Sequence, residues 1–129
     1  KKQYLYNCFI NFFIKKEDIL SDYYHVPSER ETKERFPGVN LRTFWGDKVM
    51  LSIVDLNKGS VVPNHTHPNE QAGTVLEGKM ELGINGKKRI LKKGEIYVIP
   101  GGAEHYAKPH GESCQALDIF APVREEYKY

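Results

Sequence analysis

The sequence contains few cysteines, no excess of charge of either sign and no long hydrophobic run. Cys8 and Cys114 are the two cysteines among 129 residues, and their spacing fits neither a zinc knuckle nor a Cys-x-x-Cys redox motif. We therefore expect two reduced thiols and a cytoplasmic protein, because thiols stay reduced in that compartment. A chain of this length forms one domain and buries a core without disulfide bonds.

Charge and hydropathy exclude two kinds of partner. Nineteen Lys and Arg against 17 Asp and Glu leave a net charge of +2, and the basic residues form no stripe that could follow a phosphate backbone. The most apolar stretch, residues 4–14, is too short to span a bilayer, contains two asparagines and is followed by no small-x-small cleavage site. We expect neither a nucleic-acid partner nor a membrane-bound protein.

From residue 41 onward, short β-type runs alternate with turn residues. This pattern is typical of an all-β sandwich or barrel. Gly46-Asp47 is a plausible hairpin turn, and Asn85-Gly86 supplies the two positive φ angles of a tight hairpin. We expect residues 41–129 to form a single all-β domain.

Residues 1–40 are predicted to be an N-terminal extension. The apolar run 4–14 is expected to be a strand or short helix buried against the domain or a second subunit, because such a run favours aggregation when exposed. Residues 15–39 are polar, with Pro27 and Pro37-Gly38 as breakers, and are predicted to be an irregular lead-in. The apolar run and the open edges of a β-barrel together predict a homodimer.

The strongest chemical signal is His65-Thr66-His67. Residues two apart on a strand point to the same face, so both imidazoles can bind one ion. His105, on another predicted strand, offers a third imidazole. Gln71 or Glu70 would add an oxygen ligand, and the two cannot both face the ion unless the chain bulges there.

Glycines and prolines around these histidines also follow a pattern. Two segments carry it: Gly59-x5-His65-x-His67-x3-Gln71-x6-Gly78, and Gly94-x5-Pro100-x-Gly102-x2-His105. They resemble the two motifs of the cupin superfamily, with Gln71 where that superfamily usually has Glu. The resemblance covers about residues 41–124 and implies a small jelly-roll β-barrel with an ion inside its mouth.

Within this superfamily, residues 65–71, 75–79 and 117–127 resemble the KdgF-type cupins of pectin and alginate degradation. That group converts cyclic 4,5-unsaturated uronates to linear ketonised sugars. The resemblance implies one divalent transition metal, which we expect to be Ni, Zn, Fe, Co or Mn, and two sets of site residues. The metal ligands would be His65, His67, Gln71 and His105, and the catalytic residues would be Asp118, Phe120 and Arg124.

The chemistry of the three catalytic candidates fits such a substrate. Asp118 near a divalent ion can act as a general acid or base, and Arg124 offers a planar fork for a uronate carboxylate. Phe120 could support a sugar ring. Each residue also has a purely structural interpretation: a buried carboxyl satisfied by backbone for Asp118, core packing for Phe120, and a tail charge paired with Glu125 or Glu126 for Arg124.

The sequence therefore predicts a metal-dependent enzyme of the isomerase or tautomerase type, with a small anionic sugar as its substrate. A neutral amide at position 71 leaves the charge of the ion less compensated, which favours polarisation of a carbonyl or hydroxyl over oxygen activation. Two alternatives stay open. One is a different cupin enzyme, an iron-dependent dioxygenase or another isomerase or lyase, and the other is a small-ligand-binding cupin without catalysis.

Overall fold

The computed structural model describes residues 23–129, and within this range the chain is almost entirely β-structure. Short 3₁₀ turns lie at Pro27–Glu29 and Glu125–Tyr127. Ten strands follow one another along the chain: β1 (Lys33–Phe36), β2 (Val39–Trp45), β3 (Met50–Leu56), β4 (Val62–His65), β5 (Glu70–Glu77), β6 (Lys79–Ile84), β7 (Lys87–Lys92), β8 (Ile96–Ile99), β9 (His105–Pro109) and β10 (Cys114–Ala121).

The strands form two antiparallel sheets. The larger sheet has the order β1-β2-β3-β10-β5-β8, and the smaller has the order β4-β9-β6-β7. Strands that are distant in sequence, such as β3, β10 and β5, are neighbours in space. The prediction of an all-β, jelly-roll architecture is confirmed.

Alternating burial along the strands shows which face of each sheet points inward. In β2, Val39, Leu41 and Thr43 are buried while their neighbours are partly exposed. The predicted turn between β6 and β7 is present, because Asn85 and Gly86 have φ angles of 49° and 79°. The core lies between the two sheets.

The predicted irregular lead-in is wrong for residues 33–39. Strand β1 pairs with β2 across a turn at Pro37-Gly38, and Gly38 has a φ of 77°. Val39 is buried, and Phe36 packs against the core. The charged residues of β1 are exposed on an edge strand, where they need no partner inside the protein. The two breakers thus form a hairpin turn, and the six-stranded sheet begins before residue 41.

The remaining expectations for the N-terminal region concern residues 1–22, which lie outside the described residues. These expectations are the buried apolar run at 4–14 and the state of Cys8. Cys114 is a free, buried cysteine, and burial raises the pKa of its thiol to about 11. Within residues 23–129, no helix is both long and apolar enough to cross a membrane.

Candidate metal centre and active site

A cavity lies between the two sheets and opens to solvent. Its floor is apolar, with side chains of the core cluster such as Val54 and Leu82. Its polar lining comes from both sheets and from the chain that follows β10, and includes His65, Gln71, His105, Asp118 and Arg124. The cavity therefore combines an apolar body with a few convergent polar groups, as small-molecule sites usually do.

Three imidazoles meet in this region. His65 ends β4 and is paired with His105, the first residue of β9. His67 follows in the loop before β5. One ring nitrogen from each residue lies within 4.8 Å of the other two. The structure thus brings together the three histidines that the sequence predicted as ligands.

Each of these rings is oriented by a backbone carbonyl two residues away in the chain. Nδ1 of His65 is 2.7 Å from the Pro63 carbonyl oxygen, and Nδ1 of His105 is 2.9 Å from that of Ala103. Nδ1 of His67 lies 3.0 Å from the Asn69 carbonyl oxygen. Because a carbonyl oxygen can only accept, a proton on each Nδ1 satisfies these contacts and leaves each Nε2 with a lone pair for an ion.

The unprotonated nitrogens face one another and an amide oxygen. Nε2 of His67 lies 3.2 Å from Nε2 of His105 and 3.0 Å from Oε1 of Gln71. Gln71 is buried and Glu70 is exposed, so the two adjacent residues face opposite ways, as their strand requires.

Protonation does not relieve this crowding of acceptors. Burial lowers the pKa of all three histidines, and that of His105 falls to about 4. The positive charge of Arg124 acts in the same direction on each ring. Three neutral imidazoles and an amide oxygen are a donor set that suits a divalent transition metal, so these residues fit such an ion.

Asp118 lines the same cavity from β10. Its Oδ1 accepts a hydrogen bond of 2.6 Å from the Tyr97 hydroxyl. Burial raises the pKa of this carboxyl, while the Tyr97 hydroxyl, the Gln71 amide and the Arg124 guanidinium act against that rise. A carboxyl with a raised pKa beside a group of ligands is a candidate for general acid or base catalysis.

Phe120 and Arg124 complete this side of the cavity. Phe120 is buried, and its ring meets that of His67 edge to face at 5.7 Å. The Arg124 guanidinium lies 4.0 Å from the ring centroid of Tyr127 and 5.2 Å from that of Phe120. Both residues therefore belong to the core and to the wall of the cavity.

Arg124 forms an ion pair with Glu126, one of the two partners that the structural interpretation of the sequence named. Its Nε and Nη2 atoms lie 2.9 and 2.8 Å from Oε1 of Glu126. The arginine is nevertheless 6% exposed, so it is a buried cation at the cavity and not a solvated tail charge. Its Nη1 makes no hydrogen bond to any residue within 23–129.

Sequence reasoning missed several residues of the cavity wall, among them Tyr97, Arg35 and Ser52. Tyr97 lies in a short apolar strand, and Arg35 lies in the stretch that was expected to be irregular. The third is Ser52, which is fully buried and has an Oγ with no partner among the described residues. An inward-facing serine between Met50 and Val54 was the one signal available, since alternation on β3 places it on the buried face.

Comparison with known proteins agrees with this geometry. A pectin degradation protein KdgF from Dickeya dadantii is 29% identical over 106 residues, which cover 81% of this chain and 96% of that protein. The structure of KdgF from Halomonas sp. superposes with a TM-score of 0.77 at 25% identity, covering 81% of this chain and 97% of that one.

A plant protein and a family profile extend the comparison. The auxin-binding protein ABP19b of Prunus persica is 35% identical over 85 residues, which span 61% of this chain and 38% of that protein. The profile of the Cupin domain matches residues 52–120, a range that holds the three histidines, Gln71 and Asp118. This chain belongs to the cupin domain family.

Proposed function

We propose that this cupin is a metal-dependent enzyme that converts 4,5-unsaturated uronate monosaccharides to linear ketonised sugars in the breakdown of pectin or alginate. One observation carries the proposal: the Asp118 carboxyl and a buried cation, Arg124, line the same cavity as His65 and His105, two of the three converging imidazoles. Similarity to a pectin degradation protein over nearly its whole length supports the choice of substrate class.

Four residues would hold the ion. These are His65, His67, Gln71 and His105, and the ion would be Ni, Zn, Fe, Co or Mn. When bound, a divalent ion polarises the hydroxyl and carbonyl oxygens of a sugar. The neutral amide of Gln71 favours this chemistry, since an amide leaves more of the ion's charge uncompensated than a carboxylate does.

Arg124 would bind the substrate carboxylate. Its Nη1 is not used by the described protein groups, while stacking on Tyr127 and the pair with Glu126 hold the guanidinium in place. A fixed guanidinium loses little entropy when it binds a carboxylate, and charge-assisted hydrogen bonds are stronger than neutral ones. This contact would orient the sugar ring against Phe120.

Asp118 would move the proton. The net reaction is an isomerisation: the anomeric hydroxyl loses a proton, the bond between C1 and the ring oxygen breaks, and the resulting enol becomes a ketone as C4 gains a proton. Asp118 can accept the proton of the anomeric hydroxyl and then donate a proton to C4, because a carboxyl that has accepted a proton can return it. The raised pKa of Asp118 brings the acidity of its carboxyl closer to the acidities of the substrate groups with which it exchanges the proton.

The test is direct. Protein loaded with each of the five metals is incubated with unsaturated uronate made by a lyase, and loss of the ultraviolet absorbance of the C4=C5 bond is followed beside a chelated control. We expect loss that is faster with metal than in the chelated control. No acceleration with any of the metals would contradict the proposal, and oxygen uptake by the iron-loaded protein would favour the dioxygenase alternative.

A further inference from the structure

Asp118 belongs to a row of inward-facing residues that crosses the six-stranded sheet. On β10 it is opposite Ser52 of β3 on one side and Gly73 of β5 on the other. Gly73 is in turn opposite Tyr97 of β8, the edge strand. Tyr97 therefore lies two strands away from Asp118, about 9 to 10 Å across the sheet at the usual strand spacing.

Gly73 leaves the space between these two residues open. A Cβ atom at this position would lie 2.5 Å from Cζ of Tyr97 and 2.6 Å from the carbonyl oxygen of Leu117. Both the phenol ring that lies over this position and the Leu117 carbonyl oxygen therefore require the glycine. Across this opening the Tyr97 hydroxyl donates its hydrogen bond of 2.6 Å to Oδ1 of Asp118.

The donor in this bond is fixed. Tyr97 is 6% exposed and packs within the main core cluster, so its hydroxyl cannot follow a rotating carboxyl. Burial first, and then the charge of Asp118, raises the pKa of the phenol, which keeps the hydroxyl protonated. On the opposite side of Asp118, the buried Oγ of Ser52 has no hydrogen-bond partner among the described residues.

We propose that Tyr97 is a positioning residue that holds the Asp118 carboxyl in the orientation for proton exchange with the substrate, across the gap left by Gly73. This inference rests on the proposed function of Asp118. Groups held in the reactive geometry before the reaction lower its barrier, and their loss reduces the rate of the chemical step more than substrate binding. The expected consequence is a change in kcat with little change in KM.

A matched control exists on the other sheet. Tyr106 lies over Gly83, where a Cβ would also collide with the ring, and its hydroxyl donates to Oε2 of Glu81 at 2.9 Å. As in the first set, a tyrosine ring lies over a glycine and its hydroxyl donates to a carboxylate, but Glu81 lies on the same strand as Gly83. Tyr106 and Glu81 are absent from the cavity lining, so Tyr106→Phe removes a tyrosine–carboxylate hydrogen bond outside the site.

The first measurement compares kcat, KM and metal content of the two variants. For Tyr97→Phe, which keeps the ring and removes only the hydroxyl, we expect kcat to fall about 10- to 100-fold while KM stays within about twofold. Metal content should equal that of the unaltered protein. For Tyr106→Phe we expect both constants to be unchanged.

The second measurement does not depend on activity. In the zinc-loaded protein, the buried Tyr97 hydroxyl proton should give a slowly exchanging, downfield proton resonance, because short hydrogen bonds to carboxylates are strong. The resonance should be absent in Tyr97→Phe and shifted in Asp118→Asn.

A Tyr97→Phe enzyme with an unchanged kcat, or a resonance that Asp118→Asn leaves unmoved, would overturn the positioning role. Failure of the proposed function is distinguishable. In that case the unaltered protein itself converts no uronate with any metal, and the result excludes a role of Tyr97 in that reaction.

Discussion

Nε2 of His67 lies 3.0 Å from Oε1 of Gln71, and Nδ1 of the same ring lies 3.0 Å from the carbonyl oxygen of Asn69. Burial lowers the pKa of His67, and a neutral imidazole has one proton for these two acceptors, so with Nδ1 donating to Asn69 the lone pair of Nε2 faces that of Oε1. Two facing lone pairs repel each other, and a shared cation turns that repulsion into attraction. The amide of Gln71 should therefore control how tightly an ion is held.

Replacing Gln71 by Glu should tighten binding of a divalent ion by about tenfold or more, because a carboxylate adds a negative charge to the ligand set. The same change should lower turnover, since the ion then polarises the substrate less. Competition with a chelator measures the affinity. Glu70→Gln, at the exposed neighbouring position, is the control and should leave the affinity unchanged. An unchanged affinity in Gln71→Glu would contradict the assignment of Gln71 as a ligand.

The metal-free protein should lose stability as the pH falls from about 6.5 towards 4. Burial lowers the pKa of His105 to about 4 in the folded protein, against the usual 6.5. Between these values the unfolded chain binds a proton that the folded chain does not, so the free energy of unfolding decreases as the pH is lowered.

Urea denaturation near neutral pH and near pH 4.5 checks this expectation, and the lowered pKa values of His65 and His67 add to the same pH dependence. His105→Asn should weaken the pH dependence, whereas His110→Asn, at an exposed position, should not. Equal pH dependence in His105→Asn and the unaltered protein would show that His105 is not the group responsible.

Replacing Arg124 by Met should raise KM for the uronate about 10- to 100-fold, since a charge-assisted pair with the substrate carboxylate is lost. The methyl ester of the same sugar, which carries no charge, should show a much smaller change. Glu126→Gln keeps an acceptor oxygen that can hold the guanidinium but removes the negative charge that competes with the substrate carboxylate, so KM should stay the same or fall. Equal effects of Arg124→Met on the acid and its ester would exclude carboxylate recognition by this residue.

The homodimer stays a prediction, and the outer face of the six-stranded sheet offers a place to test it. Ile96 and Val98 on the edge strand β8 are 73% and 59% exposed. Sedimentation at micromolar concentration should show a dimer that Ile96→Lys weakens and Ile90→Lys, on the other sheet, leaves intact. A monomeric unaltered protein would contradict the prediction.

The fold was predictable because its signals are local. Hairpin turns such as Asn85-Gly86 and the alternation of apolar residues along the strands are visible in single segments of sequence. Strand β1 was missed because its side chains face solvent at a sheet edge, so their charges resemble those of a loop. Within β1, Phe36 is the residue that packs against the core.

The site was predictable only in part. The histidine spacing predicted convergence on the premise that both residues lie on one strand, whereas His65 ends β4 and His67 lies in the following loop. The bond between Tyr97 and Asp118 depends on the register of β8, β5 and β10, strands far apart in sequence, and on the absent side chain of Gly73. The carbonyls that orient the imidazoles belong to backbone geometry, which residue identity does not encode. The roles of the predicted site residues stay predictions.

Turnover of unsaturated uronate by Asp118→Asn, with metal content measured on the same sample, tests the central claim most directly. Asparagine keeps the shape of the side chain but cannot accept and return a proton. We expect the variant to bind as much metal as the unaltered protein and to show no acceleration above the spontaneous reaction. Turnover at the rate of the unaltered protein, with metal bound, would remove Asp118 from the reaction and contradict the account.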